Sequence, residues 1–137
     1  MYNIRKLIKE SLLLEKRIAQ ISTRIEVSFA FDVERTHHAY VRRKREGLTD
    51  YDEREISNGE LRYVIEQVRK EIAEKIALGQ IREGEAFIIK SPEKSIAMSI
   101  VPEYQSGSYW VLYITTVFRE SYDNPFRTGE DQLIIWV

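Results

Sequence analysis

Both histidines of the chain are adjacent, His37 and His38, and a basic run follows them: Arg42, Arg43, Lys44 and Arg45. If this segment is helical, His38, Arg42 and Arg45 stand at i, i+4 and i+7 and share one face. An imidazole titrates near neutral pH and can take or give a proton. A guanidinium is a permanent cation whose planar fork matches two phosphate oxygens. Cutting RNA without metal requires a base for the ribose 2′-hydroxyl, cations for the charge developing at phosphorus, and an acid for the leaving oxygen. These residue types suit those jobs. His38 is then the acid or base, Arg42 and Arg45 grip phosphate, His37 belongs to the substrate-binding set, and neither cofactor nor metal is expected. The same run also reads as a solvated surface. Metal binding is disfavoured, because adjacent histidines in a helix point apart and no His-Glu-x-x-His spacing is present.

The elements that must position these residues are legible from periodicity. Ile4, Leu7, Ile8, Leu14, Ile18 and Ile21 recur at helical spacing with Lys and Glu between them, which predicts a helix over about 3–21. Ile25, Val27, Phe29, Phe31 and Val33 alternate with Glu26, Ser28, Ala30 and Asp32, the pattern of a strand with one face in the core. A short helix over about 36–46 stops at Gly47, and a polar loop follows. Ser57 and Glu60 have the spacing of a capping box, with Ile56 and Leu61 as its staple, so a second long helix should start there. Its stripe of Leu61, Val64, Ile65, Val68, Ile72 and Ile76 runs on to Gly79, predicting one helix over 58–78. Four β-rich runs come next, 85–90, 95–101, 109–119 and 132–137, and their succession implies a meander. The expected fold class is α+β: an N-terminal helix (1–22), then a core (23–137) with one long amphipathic helix on a mostly antiparallel sheet of about five strands. At 137 residues one domain is the default.

Composition narrows the function classes. There is no cysteine, which excludes disulfide frameworks, thiolate zinc sites and cysteine nucleophiles, and gives secretion no support. A cytoplasmic protein is the plain expectation. The apolar run near the start spans only Ser11 to Leu14, too short for a signal peptide or membrane span, so no membrane partner is expected. The formal net charge of −1 argues against a large nucleic-acid footprint. It leaves room for a local one, since residues 34–46 hold five Arg or Lys against two Glu.

The order of a strand, His38-Ala39-Tyr40-Val41-Arg42, the helix opening Ile56-Ser57-Asn58-Gly59-Glu60-Leu61, and a late strand carrying Ile114-Thr115-Thr116-Val117 resembles a superfamily of small ribonucleases. That superfamily includes barnase, EndoU, the ribonuclease colicins and RelE, and the likeness is to its phage-encoded and DUF4258-like members. It covers about 25–137. The resemblance implies a RelE-like fold, a substrate of RNA, free or ribosome-bound, and a cleft in which Thr116 faces His38 and Arg42 and contacts phosphate. Alternation in a strand lets only one of Thr115 and Thr116 point that way. The family pattern often has a second arginine eight residues after the histidine; here that position is Glu46, and Arg45 is the nearest substitute. Lys90 and Arg119, on predicted strands beside the same region, are candidate phosphate contacts, or else ordinary edge-strand charges. Trp110, Tyr109 and Tyr113 are expected to pack rather than to bind bases. A phage origin would put the protein in the host cytoplasm.

The rival expectation is a non-catalytic interaction or RNA-binding protein on the same fold. It would meet a protein partner, or a second copy of itself, through the N-terminal helix, whose apolar stripe must be buried somewhere.

Overall fold

The computed structural model describes residues 4–29, 56–119, 129 and 131–137. The short helix expected over 36–46, its loop, and the distal half of the first strand lie outside the described residues, as do His37, His38, Arg42 and Arg45. The elements described are α1 (Ile4–Arg24), β1 (Ile25–Phe29), α2 (Asn58–Gln67), α3 (Arg69–Ala77), β2 (Phe87–Ser91), β3 (Ile96–Ser106), β4 (Tyr109–Arg119) and β5 (Ile134–Trp136). The class is α+β, as the periodicities predict.

The five strands form one sheet in the order β1-β4-β3-β2-β5. β2, β3 and β4 make an antiparallel meander, whereas β1 pairs parallel with β4 and β5 parallel with β2. The expected four-strand meander therefore holds for three strands. The last run crosses back to β2, where Ile88 pairs with Ile134.

One sheet face supplies Ile25, Phe87, Ile89, Met98, Ile100, Leu112 and Ile114 to a core shared with Leu61, Val64, Ile65, Ile72 and Ile76 of the two later helices. The α2 start is built as its sequence indicates. Ser57 Oγ accepts from the Glu60 amide at 3.1 Å, and the Ser57 amide donates to Glu60 Oε2 at 3.1 Å. Gly79, at φ 74°, ends α3, where the Gln80 and Ile81 amides close on the Lys75 carbonyl. A side chain there would sit in the left-handed region.

The single helix expected over 58–78 is two helices, interrupted at Val68 (φ −111°, ψ 11°). Neither proline nor glycine stands at the break. What coincides with it is a long-range contact of Arg69. Its Nε donates to the Ser22 carbonyl at 2.5 Å and its Nη2 to the Ile25 carbonyl at 2.6 Å, while Nη1 pairs with Glu66 at 2.8 Å. One guanidinium thus ties α3 to the point where α1 becomes β1, satisfying a carbonyl of the last turn of α1. Hydrogen bonds from a charged donor contribute about 1.5–3 kcal/mol each when part-buried. Arg69→Ala is expected to cost about 2 kcal/mol in urea unfolding. A change below about 0.5 kcal/mol would mean that packing alone fixes this junction.

Candidate functional site

Of the expected site residues, Thr116, Lys90 and Arg119 are described; Thr116 and Lys90 share one sheet face, and Arg119 lies on the other. The register explains why. Ser99 pairs with Thr116 but Ile100 pairs with Ile114, so Thr115 is an extra residue, a β-bulge in β4. Ile114 and Val117, three apart, both enter the core. Both threonines fall between them, so the bulge rather than strict alternation decides which of the two is exposed. Thr115 Oγ1 donates to the Ser99 carbonyl at 3.2 Å, and Thr116 is left exposed.

The bulge also reverses the parity of everything after it. Arg119 turns toward the helices, on the sheet face opposite Thr116, and is only 2% exposed. Its Nη1 donates to the Lys94 carbonyl at 2.8 Å and its Nη2 to Glu60 Oε2 at 3.3 Å. The expectation of a phosphate contact at Arg119 beside Thr116 is corrected accordingly. This guanidinium joins the late strand to the capping box of α2 and to the turn after β2.

Lys90 is on the Thr116 face. Its strand neighbour Ile89 belongs to the core, and Lys90 itself pairs with Ala97 on β3 and with Trp136 on β5. β2 is internal to the sheet, so Lys90 is not an edge-strand charge. Its ammonium stands 5.5 Å from the Trp136 ring centroid, and the residue is 8% exposed. Trp136 is exposed. The row above it runs Ile88, Ser99, Thr116 across three strands. The open face thus carries an exposed hydroxyl, a second hydroxyl at Ser99, and an ammonium held against an indole.

A second concave region has no counterpart in the sequence reading. A cavity of about 670 Å³ lies between the C-terminal half of α1 and the β3–β4 hairpin, lined among others by Arg17, Gln20, Thr23, Arg24, Tyr104 and Trp110. Trp110 and Tyr104 are register partners whose rings meet edge to face at 5.4 Å and 66°. Arg17 and Arg24 are seven residues apart on α1 and so come to one side of it. A smaller cavity shares Thr23 and Arg24 and is bounded by Glu26 and Tyr109. There the Tyr109 hydroxyl donates to Glu26 Oε2 at 2.5 Å. That hydrogen bond, with desolvation, raises the phenol above its ordinary value. The signals that could have found the larger cavity are the i, i+7 arginines and the aromatic pair flanking the turn at Gly107 and Ser108.

The N-terminal half of α1 is a third feature. Ile4 is 67% and Leu12 60% exposed, and Leu7, Ile8 and Leu13 are exposed with them. Lower on the same helix Ile21 is buried, where α1 packs along α3. Among the described residues no helix is long and apolar enough to cross a membrane. Comparison with protein-family models, with curated proteins and with solved structures finds no match to this chain.

Proposed function

We propose that the protein is a metal-independent endoribonuclease, with its site on the open face of the sheet. The observation that carries the reading is Thr116: a hydroxyl exposed by a bulge, on the face opposite the helix layer, in the late Thr-Val strand of the ribonuclease-like sequence pattern. Bulges concentrate beside active sites because they re-aim one side chain while leaving the strand paired. In this reaction the ribose 2′-oxygen attacks the adjacent phosphorus as the bond from phosphorus to the 5′-oxygen breaks. The products carry a 2′,3′-cyclic phosphate and a 5′-hydroxyl. His38 serves as acid or base, Arg42 and Arg45 carry the phosphate charge, His37 lies with the substrate, and Thr116 donates to a non-bridging oxygen. Lys90 contributes positive potential on the same face and is held in place by Trp136.

Thr116→Val tests the assignment with little structural disturbance, because the side chain is exposed. Loss of one hydrogen bond to an anionic phosphate oxygen costs about 1.5–3 kcal/mol. Cleavage of RNA is therefore expected to fall at least about tenfold at an unchanged unfolding midpoint. Undiminished cleavage would remove Thr116 from the site.

A second reading rests on α1. The exposed stripe of Ile4, Leu7, Ile8 and Leu12 is the surface of an interaction helix, and on this reading the protein docks a partner or a second copy of itself through it. The discriminating measurement is cleavage itself, since an interaction module leaves RNA intact.

A further inference from the structure

We infer that the cavity between α1 and the β3–β4 hairpin binds single-stranded RNA, with a base stacked on the Tyr104–Trp110 pair and a phosphate held by Arg17 and Arg24. The inference rests on the ribonuclease reading for its choice of nucleic acid and extends it to a second contact away from the scissile bond.

The chemistry of the walls selects the ligand. A single strand is bound without sequence preference by a cationic groove that follows its backbone and by aromatic rings that accept any base. Both parts are present. Among the described residues no acidic side chain lines this cavity, and neither arginine has an ion-pair partner there. Glu26 is the carboxylate at the adjoining cavity, where it accepts from the Tyr109 hydroxyl. Gln20 and Thr23 add amide and hydroxyl groups, of the kind that hydrogen-bond base edges and ribose. Tyr104 is 43% exposed, which is high for an aromatic ring beside a core. Trp110 is half-buried and packs against the core, so it backs Tyr104 from a fixed position.

An acidic peptide is the alternative ligand, because two arginines would attract it equally. The paired rings favour a base over a peptide. Position favours a strand over a lone nucleotide: Trp110 and Thr116 are six residues apart on β4, about 20 Å at the usual rise of an extended strand. They also face opposite sides of the sheet, so one nucleotide cannot touch both. An RNA that reaches both must pass round an edge or end of the sheet, and the cavity then anchors the chain several nucleotides from the cut.

Trp110 is its own reporter. The chain has two tryptophans, and Trp136→Phe leaves only Trp110. The probe is a mixed-sequence 2′-O-methyl oligonucleotide, which has no free 2′-hydroxyl and cannot be cut by the proposed reaction. Saturable quenching of Trp110 fluorescence is expected. Arg17→Glu and Arg24→Glu should each weaken binding at least tenfold, and the alanine variants should each lower the salt dependence by about one phosphate contact. Arg17 is exposed, so its variants keep the fold, and circular dichroism checks Arg24→Glu. Absence of quenching, quenching that ignores Arg17→Glu, or equally tight binding of polyglutamate would each overturn the inference. Its failure is separable from that of the nuclease reading. Cleavage by the wild type without a Trp110 response in the reporter variant sinks only the anchoring site, and a Trp110 response without wild-type cleavage sinks only the catalytic assignment.

Discussion

Arg119→Ala is expected to be among the most destabilising single substitutions outside the apolar core, costing about 3 kcal/mol in urea unfolding. The guanidinium is buried, and it links the Lys94 carbonyl and the Glu60 carboxylate across three parts of the fold. Truncation leaves a void where the longest side chain of β4 stood and removes the cation from Glu60. The Glu60 side chain is 25% exposed, so water relieves part of the loss, which sets the expectation at the lower end of the range for a broken buried pair. The Ser57 amide continues to bind Glu60, so the helix start is weakened rather than lost. Arg119→Met separates packing from charge. It fills most of the volume and, combined with Glu60→Gln, should recover at least half of the deficit, since an ion pair replaced on both sides is often nearly neutral. A loss under about 1 kcal/mol for Arg119→Ala, together with a loss of RNA cleavage, would return Arg119 to the phosphate-binding role expected from its place on a strand beside the site.

That reassignment shows where sequence periodicity is sufficient and where it stops. The strand over 109–119 is read to the residue, because its flanks, Gly107 and Ser108, are turn residues and its interior is aromatic and β-branched. Its faces are not readable past Thr115. Nothing in Ile-Thr-Thr-Val announces a bulge, and a one-residue insertion exchanges the two faces for every later position. β3 runs five residues beyond its expected end for a comparable reason. Pro102 reads as a stop, yet its carbonyl accepts from the Gly84 amide, on the side that β2 no longer occupies. Its missing N–H therefore deprives no strand of a hydrogen bond.

The break at Val68 is likewise tertiary, coinciding with the reach of Arg69 to Ser22 and Ile25 rather than with any local breaker. The candidate site follows the same division. Thr116 was marked by a local pattern. Each wall of the cavity beside α1 carries a local signal, but the meeting in space of residues 17–24 and 104–110 carries none. α1 lies outside the ribonuclease-like stretch, and its arginines had no assigned partner in sequence.

His38→Ala carries the largest expected effect on function, a loss of RNA cleavage of at least about 100-fold. General acid or base catalysis typically supplies a factor of about 10²–10⁴, and alanine removes it without replacing the proton carrier. The assay is best run with free RNA and with message on ribosomes, both in EDTA, with product ends examined for 2′,3′-cyclic phosphate. Wild-type cleavage is expected to be unaffected by the chelator, because the proposed mechanism assigns the phosphate charge to arginine rather than to a divalent cation. The oligonucleotide response of Trp110 should be the same in His38→Ala as in wild type, since a proton carrier adds little to binding of a strand anchored elsewhere. A variant that cleaves at full rate removes His38 from the mechanism and, with it, the ribonuclease assignment built on the His-x-x-x-Arg pattern. If the wild type cuts neither substrate, the exposed stripe of α1 becomes the leading feature of the molecule. The Trp110 cavity would then describe an RNA-binding protein that engages a partner through that helix.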